Sequence, residues 1–261
     1  MNRLHALIFD VDGTLAETER DGHRPAFNAA FAEAGLDWNW DEALYGRLLD
    51  VTGGKERISH FAARHAPDIA GDPDFAVLVR QLHLAKTAHY LRLVDQGCLP
   101  LRPGIARLID EARQAGIRLA IATTPPPANV EALLRASLGP DAASWFEVIG
   151  AGDIVPAKKP APDIYRWVLD RLGLPAAACL AIEDSENGLK AALTAGVPCL
   201  VTISEYTEGQ DFTGAEEVVN DLGRASLADL VAIHGLIRIP AEHPQYQEMP
   251  ALARQAGHDT H

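Results

Sequence analysis

At 261 residues the chain can hold one large domain or two modest ones, and 48% hydrophobic with 23% charged residues marks an ordinary globular protein, neither disordered nor fibrous. A formal net charge of −13 argues against a nucleic-acid or anionic-membrane surface, so any phosphate pocket has to be built from a local group of cations. Cys98, Cys179 and Cys199 outline neither a disulfide frame nor a zinc site; no apolar run approaches the roughly 20 residues of a membrane span, and Met1-Asn2-Arg3 runs straight into a strand. The expectation is a cytoplasmic monomer whose partner is a small molecule, with no nucleic acid and no membrane.

The first predicted element is a strand over Ala6-Leu7-Ile8-Phe9, a short unbroken apolar run of the kind buried on both faces of a parallel sheet. Asp10-Val11-Asp12-Gly13-Thr14-Leu15 follows, with Gly13 marking a turn, so two carboxylates fall at the carboxyl end of that strand, where open α/β sheets bind ligands. From Glu19 to Gln96 the pattern is helical throughout. Pro25 to Ala34 is amphipathic and closed by Gly35, Lys55 to Arg64 is a second helix, and Asp74 to Val94 is the longest; Gly97-Cys98-Leu99-Pro100 returns the chain.

Helix and strand then alternate. A helix from Pro103 stops at Gly116, and Ile117 to Ala122 is a strand. A helix covers about Asn129 to Leu138, a strand Glu147 to Ile149, and a helix Pro162 to Leu172. Strands Ala178 to Ile182 and Cys199 to Ile203 flank a helix from Glu186 to Ala195. Such alternation predicts a parallel sheet with helices on both faces, here an α/β, Rossmann-like core of residues 1–15 and 98–235 with an α-helical cap inserted at 16–97. Residues 236–261, rich in Pro, His and Gln, read as a C-terminal tail.

Four groups stand just past predicted strands: Asp10 with Asp12, Thr123, Lys159, and Glu183 with Asp184. In a parallel sheet these loops share one edge, and together they suit displacement at phosphorus. Asp10 is the nucleophile of that reading. Asp12 is its general acid and base, protonating the leaving alkoxide and later taking a proton from water. Thr123 and the following amide hold phosphoryl oxygens, Lys159 offsets negative charge, and Asp184 with Glu183 supplies hard oxygen ligands for Mg²⁺, shared with Asp10 and the Asp12 backbone carbonyl. Asp184 equally suits the start of the following helix, and Thr124 and Lys158 are the neighbours that compete with Thr123 and Lys159.

Asp10-Val11-Asp12-Gly13-Thr14, Thr123, Lys159-Pro160 and Glu183-Asp184-Ser185, in this order, resemble the four motifs of the haloacid dehalogenase superfamily, over essentially residues 4 to 225. The dehalogenases of that superfamily lack an acid two residues after the nucleophile, so the resemblance with Asp12 present implies phosphoryl chemistry. Glu17 to Arg24, Thr52-Gly53-Gly54-Lys55-Glu56-Arg57-Ile58 and Lys158 to Tyr165 further resemble the CbbY type. That resemblance implies a Mg²⁺-dependent phosphatase converting xylulose 1,5-bisphosphate, an inhibitory by-product of Rubisco, to xylulose 5-phosphate. Arg24, Lys55 and Arg57 would then grip the distal phosphate, Glu17 and His23 the sugar hydroxyls, and Thr124 would add a contact. Lys55 and Arg57 also suit a solvated helix face, and the other histidines, His60, His65, His83 and His89, read as surface or packing residues. Pro125-Pro126-Pro127 removes amide donors beside the phosphate. The rival functions are a β-phosphoglucomutase-like phosphomutase, a phosphatase of phosphoglycolate or another phosphosugar, and a non-catalytic phosphosugar sensor.

Overall fold

The protein is described here by a computed structural model covering residues 3–236. Six strands, β1 (Ala6–Phe9), β2 (Arg118–Ala122), β3 (Val148–Gly150), β4 (Cys179–Glu183), β5 (Cys199–Thr202) and β6 (Glu217–Val219), form one parallel sheet in the order β3-β2-β1-β4-β5-β6. β1 lies in the middle, with Phe9 in register with Ile121 on one side and Ile182 on the other. The order of connection reverses beside it, so the loops after β1 and β4 open a crevice at the carboxyl edge of the sheet.

The two faces of the sheet differ in bulk. Leu7, Phe9, Leu119, Ile121, Leu180, Ile182 and Leu200 point to the face covered by α6 (Ile105–Gln114), α7 (Pro127–Leu138) and α10 (Leu227–Leu236). On the opposite face Ala6, Ile8, Ala120, Ala122, Cys179, Ala181, Cys199 and Val201 alternate with them, and the mostly small side chains leave room for α8 (Asp163–Leu172) and α9 (Glu186–Thr194). The period of two along each strand therefore sets which helices pack where.

Between β1 and β2 the chain makes a wide π-type turn (Glu19–His23) and five helices: α1 (Arg24–Glu33), α2 (Glu42–Leu48), α3 (Gly54–His65), α4 (Pro67–Ala70) and α5 (Phe75–Asp95). They enclose their own cluster, in which Trp40 sits with ring centroids 4.8 Å from both Phe27 and Phe31 and 5.4 Å from Phe61. Asn28 fixes Trp40 by a pair of bonds: its amide donates to Trp40 O at 2.9 Å and its carbonyl accepts from Trp40 N at 2.8 Å. Where the chain leaves and re-enters the sheet layer, Ala16 bridges Leu101, and Arg102 N donates to Leu15 O at 2.8 Å. The Arg102 guanidinium then reaches the carbonyls of Gly13, Thr202, Ile203 and Asn220, lashing the loops after β1, β5 and β6 together.

The predicted sheet and the long helices are present. Pattern reading did not foresee α2, α4 and β6, which are short and owe their form to tertiary packing rather than to local propensity, nor the ten-residue α10, which buries Leu230 against the core. The expected tail lies outside the described residues, except for Leu236, which ends α10. Trp40→Ala is expected to lower stability by about 3–5 kcal/mol, read from denaturant unfolding followed by far-ultraviolet circular dichroism.

Candidate active site

Asp10, the residue after β1, is 6% exposed. Its Oδ1 accepts from Lys159 Nζ at 2.6 Å and from Thr123 Oγ1 at 3.1 Å. Lys159 donates at the same time to Glu183 Oε1 at 2.6 Å, and the Tyr165 hydroxyl donates to that same oxygen. One buried ammonium is thus shared between the ends of β1 and β4. Burial pushes the Asp10 carboxyl up to about 7, the Glu183 and Asp12 charges adding to the rise and the Lys159 cation opposing it. Burial favours the neutral amine of Lys159, but Asp10 and Glu183 outweigh it and keep the ammonium charged well above its ordinary range.

Asp12 faces the other way. Its Oδ1 accepts from Thr18 Oγ1 at 2.5 Å and from His23 Nε2 at 2.9 Å, and His23 Nδ1 receives a bond from Lys86 Nζ at 2.8 Å. Because an ammonium can only donate, Nδ1 is the acceptor nitrogen and the proton sits on Nε2, directed at Asp12. The His23 ring stacks on Tyr90 at 4.3 Å, and Lys86 lies over Phe27 and Tyr90. Burial would raise the Asp12 carboxyl, but His23, Thr18 and Lys86 together hold it below the usual carboxylate range. Lys86 is brought down to about 8 by burial, against the pull of Asp12 and Glu19.

Asp184 follows β4. Ser204 Oγ donates to its Oδ2 at 2.7 Å, while burial, with the Asp10 charge next, raises its carboxyl well above the ordinary value. Asp10, Glu183 and Asp184 each offer an oxygen, and these three lie within 4.8 Å of one another. The set is entirely of hard carboxylate donors, the kind that suits a small divalent cation. Gly13, with φ of +77°, keeps space beside it: a Cβ there would overlap Asp184 Oδ2. Glu183 is fully buried, and its Oε1 is committed to Lys159 and Tyr165, so it backs the cluster from behind rather than facing the cavity.

These groups line one cavity of about 560 Å³ whose far wall is formed by α1, α3 and α5. Arg57 is held there by donating to the Tyr45 hydroxyl at 2.8 Å and to Leu48 O at 3.2 Å, and Tyr45 donates in turn to Glu19. Lys55 pairs with Asp153 at 2.5 Å and Lys158 with Glu56 and Asp153 at 3.1 Å, crossing the mouth from α3 to the loop after β3. Asp10, Asp12, His23, Lys55, Arg57, Thr123, Thr124, Lys159 and Asp184 all line this cavity. Two of the residues read as substrate-binding do not. Glu17 pairs with Arg102 at 2.9 Å and lines a separate surface recess, and Arg24 pairs with Glu42 of α2 at 3.3 Å.

His83, read from sequence as a surface or packing residue, lines the cavity beside Gly54, with its imidazole brought down to about 4 by burial and by Lys86 and Lys55. Lys86 was the residue most open to detection: Val79, Leu82, Lys86, Tyr90 and Val94 form the buried stripe of α5, and a lysine on an apolar stripe needs a polar partner. Tyr165 closes the segment from Lys158 that carries the family resemblance, but its bond to Glu183 was not read from it, and Ser204 carried no sequence signal; their partners are 18 and 20 residues away.

A strand-end carboxylate paired with a buried lysine, a second acid two residues later and an acidic cluster are the apparatus of phosphoryl transfer, and a family model described as haloacid dehalogenase-like hydrolase matches residues 4–196. The chain belongs to the haloacid dehalogenase-like hydrolases, and it is a phosphatase of that family. CbbY proteins are among its relatives there. It is 54% identical over 220 residues to plasmid-borne CbbY of Cupriavidus necator, covering 84% of this chain and 86% of that one. The crystal structure of CbbY from Rhodobacter sphaeroides with phosphate has a TM-score of 0.81 at 49% identity, over 87% of this chain and 99% of the other. A mutant of the same protein, solved in complex with xylulose 1,5-bisphosphate, also has a TM-score of 0.81, at 48% identity and the same coverage. Among the described residues no helix is long and apolar enough to cross a membrane.

Gly13→Ala is expected to displace Asp184 and abolish phosphate release while the protein keeps its circular dichroism spectrum. A variant with near wild-type turnover would show that the space beside Gly13 is not needed.

Proposed function

We propose that this protein is a Mg²⁺-dependent sugar bisphosphate phosphatase that converts xylulose 1,5-bisphosphate to xylulose 5-phosphate through an aspartyl-phosphate on Asp10. One observation carries the reading: a single cavity has a carboxylate nucleophile with its acid–base partner at one end and further cations, Lys55 and Arg57 of α3 among them, on its opposite wall, as a substrate with two phosphates requires. The bisphosphate bound in the Rhodobacter sphaeroides relative supports it. Residues 16–97 serve in this reading as a cap that excludes bulk water from the reacting groups.

In the first step an Asp10 carboxylate oxygen bonds to the 1-phosphorus as the bond from phosphorus to the sugar oxygen breaks, and Asp12 gives that oxygen a proton. In the second step Asp12 takes a proton from water, which attacks the phosphorus and releases Asp10. Asp12 in the present structure is a carboxylate, set for the second step. A phosphate dianion arriving beside it, next to Asp10, raises its proton affinity and loads it for the first. Lys159 and Thr123 hold Asp10 in line and neutralise the charge that develops on the phosphoryl oxygens. Asp10, Asp184 and the Asp12 carbonyl would hold Mg²⁺, which supplies charge neutralisation and orientation of the phosphoryl group. Thr124 remains at the cavity wall as a phosphate or sugar contact, and the triproline after it leaves the donors for the distal phosphate to α3.

Phosphate release with Mg²⁺ should strongly favour xylulose 1,5-bisphosphate over ribulose 1,5-bisphosphate, fructose 1,6-bisphosphate, phosphoglycolate and β-glucose 1-phosphate, with Asp10→Asn as the blank. Preference for another member of the panel would overturn the substrate, and isomerised sugar phosphate without free phosphate would make the protein a mutase. Because the metal-free carboxyls of Asp10 and Asp184 are raised, Asp10 to about 7, Mg²⁺ uptake at pH 6.5–7 should expel protons and weaken as the pH falls below 7. Calorimetric titration in two buffers of different ionisation enthalpy measures that release, and identical heats in both would contradict it.

A further inference from the structure

The short segment from Ser204 to Thr207, between β5 and β6, touches both ends of the cavity. At one end Ser204 Oγ donates to Asp184 Oδ2 at 2.7 Å, and Ser204 Cβ lies 3.2 Å from where a Gly13 Cβ would stand. The segment is a closed turn: Thr207 Oγ1 accepts from Ser204 N at 2.8 Å, and Thr207 N donates to Ser204 O at 3.1 Å. Ser204, Tyr206 and Thr207 all line the cavity.

At the other end Tyr206 leaves the sheet layer and joins the aromatic cluster of the helical segment. Its ring meets Tyr45 at 5.8 Å and 67°, and it rests against Gly46, where an added Cβ would come within 3.2 Å of its Cδ1. Glu205, between these two residues, pairs with Arg20 of the π-type turn. Tyr45 is also the hydroxyl to which Arg57 donates. Side-chain contact therefore runs from Arg57 through Tyr45 to Tyr206, the hydrogen-bonded turn carries it to Ser204, and Ser204 Oγ reaches Asp184.

A turn of four residues closed by its own hydrogen bonds moves as a unit, so the seating of Tyr206 on α2 fixes where Ser204 Oγ points. We propose that Ser204 is a positioning residue for Asp184 and that Tyr206 ties it to the helical segment, so that a sugar phosphate seated on Arg57 tightens divalent-metal binding at Asp184. This rests on the reading of Asp184 as a metal ligand and of Arg57 as a phosphate contact. The coupling has a physical source: the sugar phosphate and the metal favour the same docked arrangement, the first because Arg57 and Lys55 belong to the helices, the second because Asp184 is then held by Ser204.

Mn²⁺ binding, followed by electron paramagnetic resonance with and without saturating xylulose 5-phosphate, tests it on the full chain. In the wild type the sugar phosphate should tighten Mn²⁺ binding about fivefold or more. Ser204→Ala should weaken Mn²⁺ binding about tenfold in the absence of any sugar phosphate, as loss of a hydrogen bond to a metal ligand does. Tyr206→Ala and Gly46→Val, which unseats the ring from the helix side and keeps a well-formed α2, should lose the tightening and weaken Mn²⁺ binding alone by no more than Ser204→Ala does, and Tyr206→Phe should keep both. Where Tyr206→Ala fails to fold, Gly46→Val decides. Wild-type Mn²⁺ affinity in Ser204→Ala overturns the positioning role. Tightening that survives in Gly46→Val, or that is missing in a wild type that binds xylulose 5-phosphate, overturns the coupling. Calorimetry without metal separates the remaining case: a wild type that does not bind xylulose 5-phosphate refutes the substrate reading and the coupling with it, while the Ser204→Ala measurement stands independently.

Discussion

The ammonium of Lys159 stands between two buried carboxylates, Asp10 and Glu183, and the parallel ends of β1 and β4 could not carry those acids side by side without it. Placing two carboxylates and a third, Asp184, within 4.8 Å of one another in a site shielded from water costs several kcal/mol per unpaired charge. Lys159 offsets part of that cost from one side. What remains is visible in the raised carboxyls of Asp10 and Asp184, and a divalent cation on the other side would relieve it. The same frustrated charge that would weaken the fold is what makes the site receptive to a cation and to a phosphoryl group between cation and lysine.

Asp12 is two residues from Asp10 and has the opposite environment. Its neighbours are donors on the turn and helices that follow β1, with Lys86 behind His23 fixing which ring nitrogen carries the proton. Two carboxylates on one loop are thereby driven apart in proton affinity, one up and one down, the divergence that the proposed division between nucleophile and proton carrier requires. Because Thr18, His23 and Lys86 belong to the stretch between β1 and β2, the environment of Asp12 depends on how that helical segment sits over the sheet edge.

The helical segment has its own aromatic cluster and meets the sheet layer through specific contacts: Lys55 and Glu56 with Asp153 and Lys158, Asn187 with Thr52, Arg20 with Glu205, and Tyr206 with Tyr45. The polar members are partly exposed pairs of the kind worth little individually and screened by salt. They orient the segment, whereas its stability comes from Trp40, Phe27, Phe31 and their neighbours.

By itself the sequence determined the parallel α/β core, the helical stretch after the first strand and the residues at strand ends: Asp10, Asp12, Thr123, Lys159, Glu183 and Asp184. Those were legible because an unbroken apolar run followed by a turn puts whatever comes next at the sheet edge, a local rule that needs no knowledge of distant partners. Tertiary structure alone decided the rest. Glu17 and Arg24 carry the right charge in the right stretch, yet they pair with Arg102 and Glu42 and do not line the cavity. Lys86, Ser204 and Tyr206 enter the site or support it from a helix and a loop with no motif of their own, and Tyr165 ends a segment whose resemblance did not reveal its bond to Glu183. Their roles come from partners tens of residues away, Lys86 from His23 across 63 positions of chain, and local spacing holds no record of such a meeting.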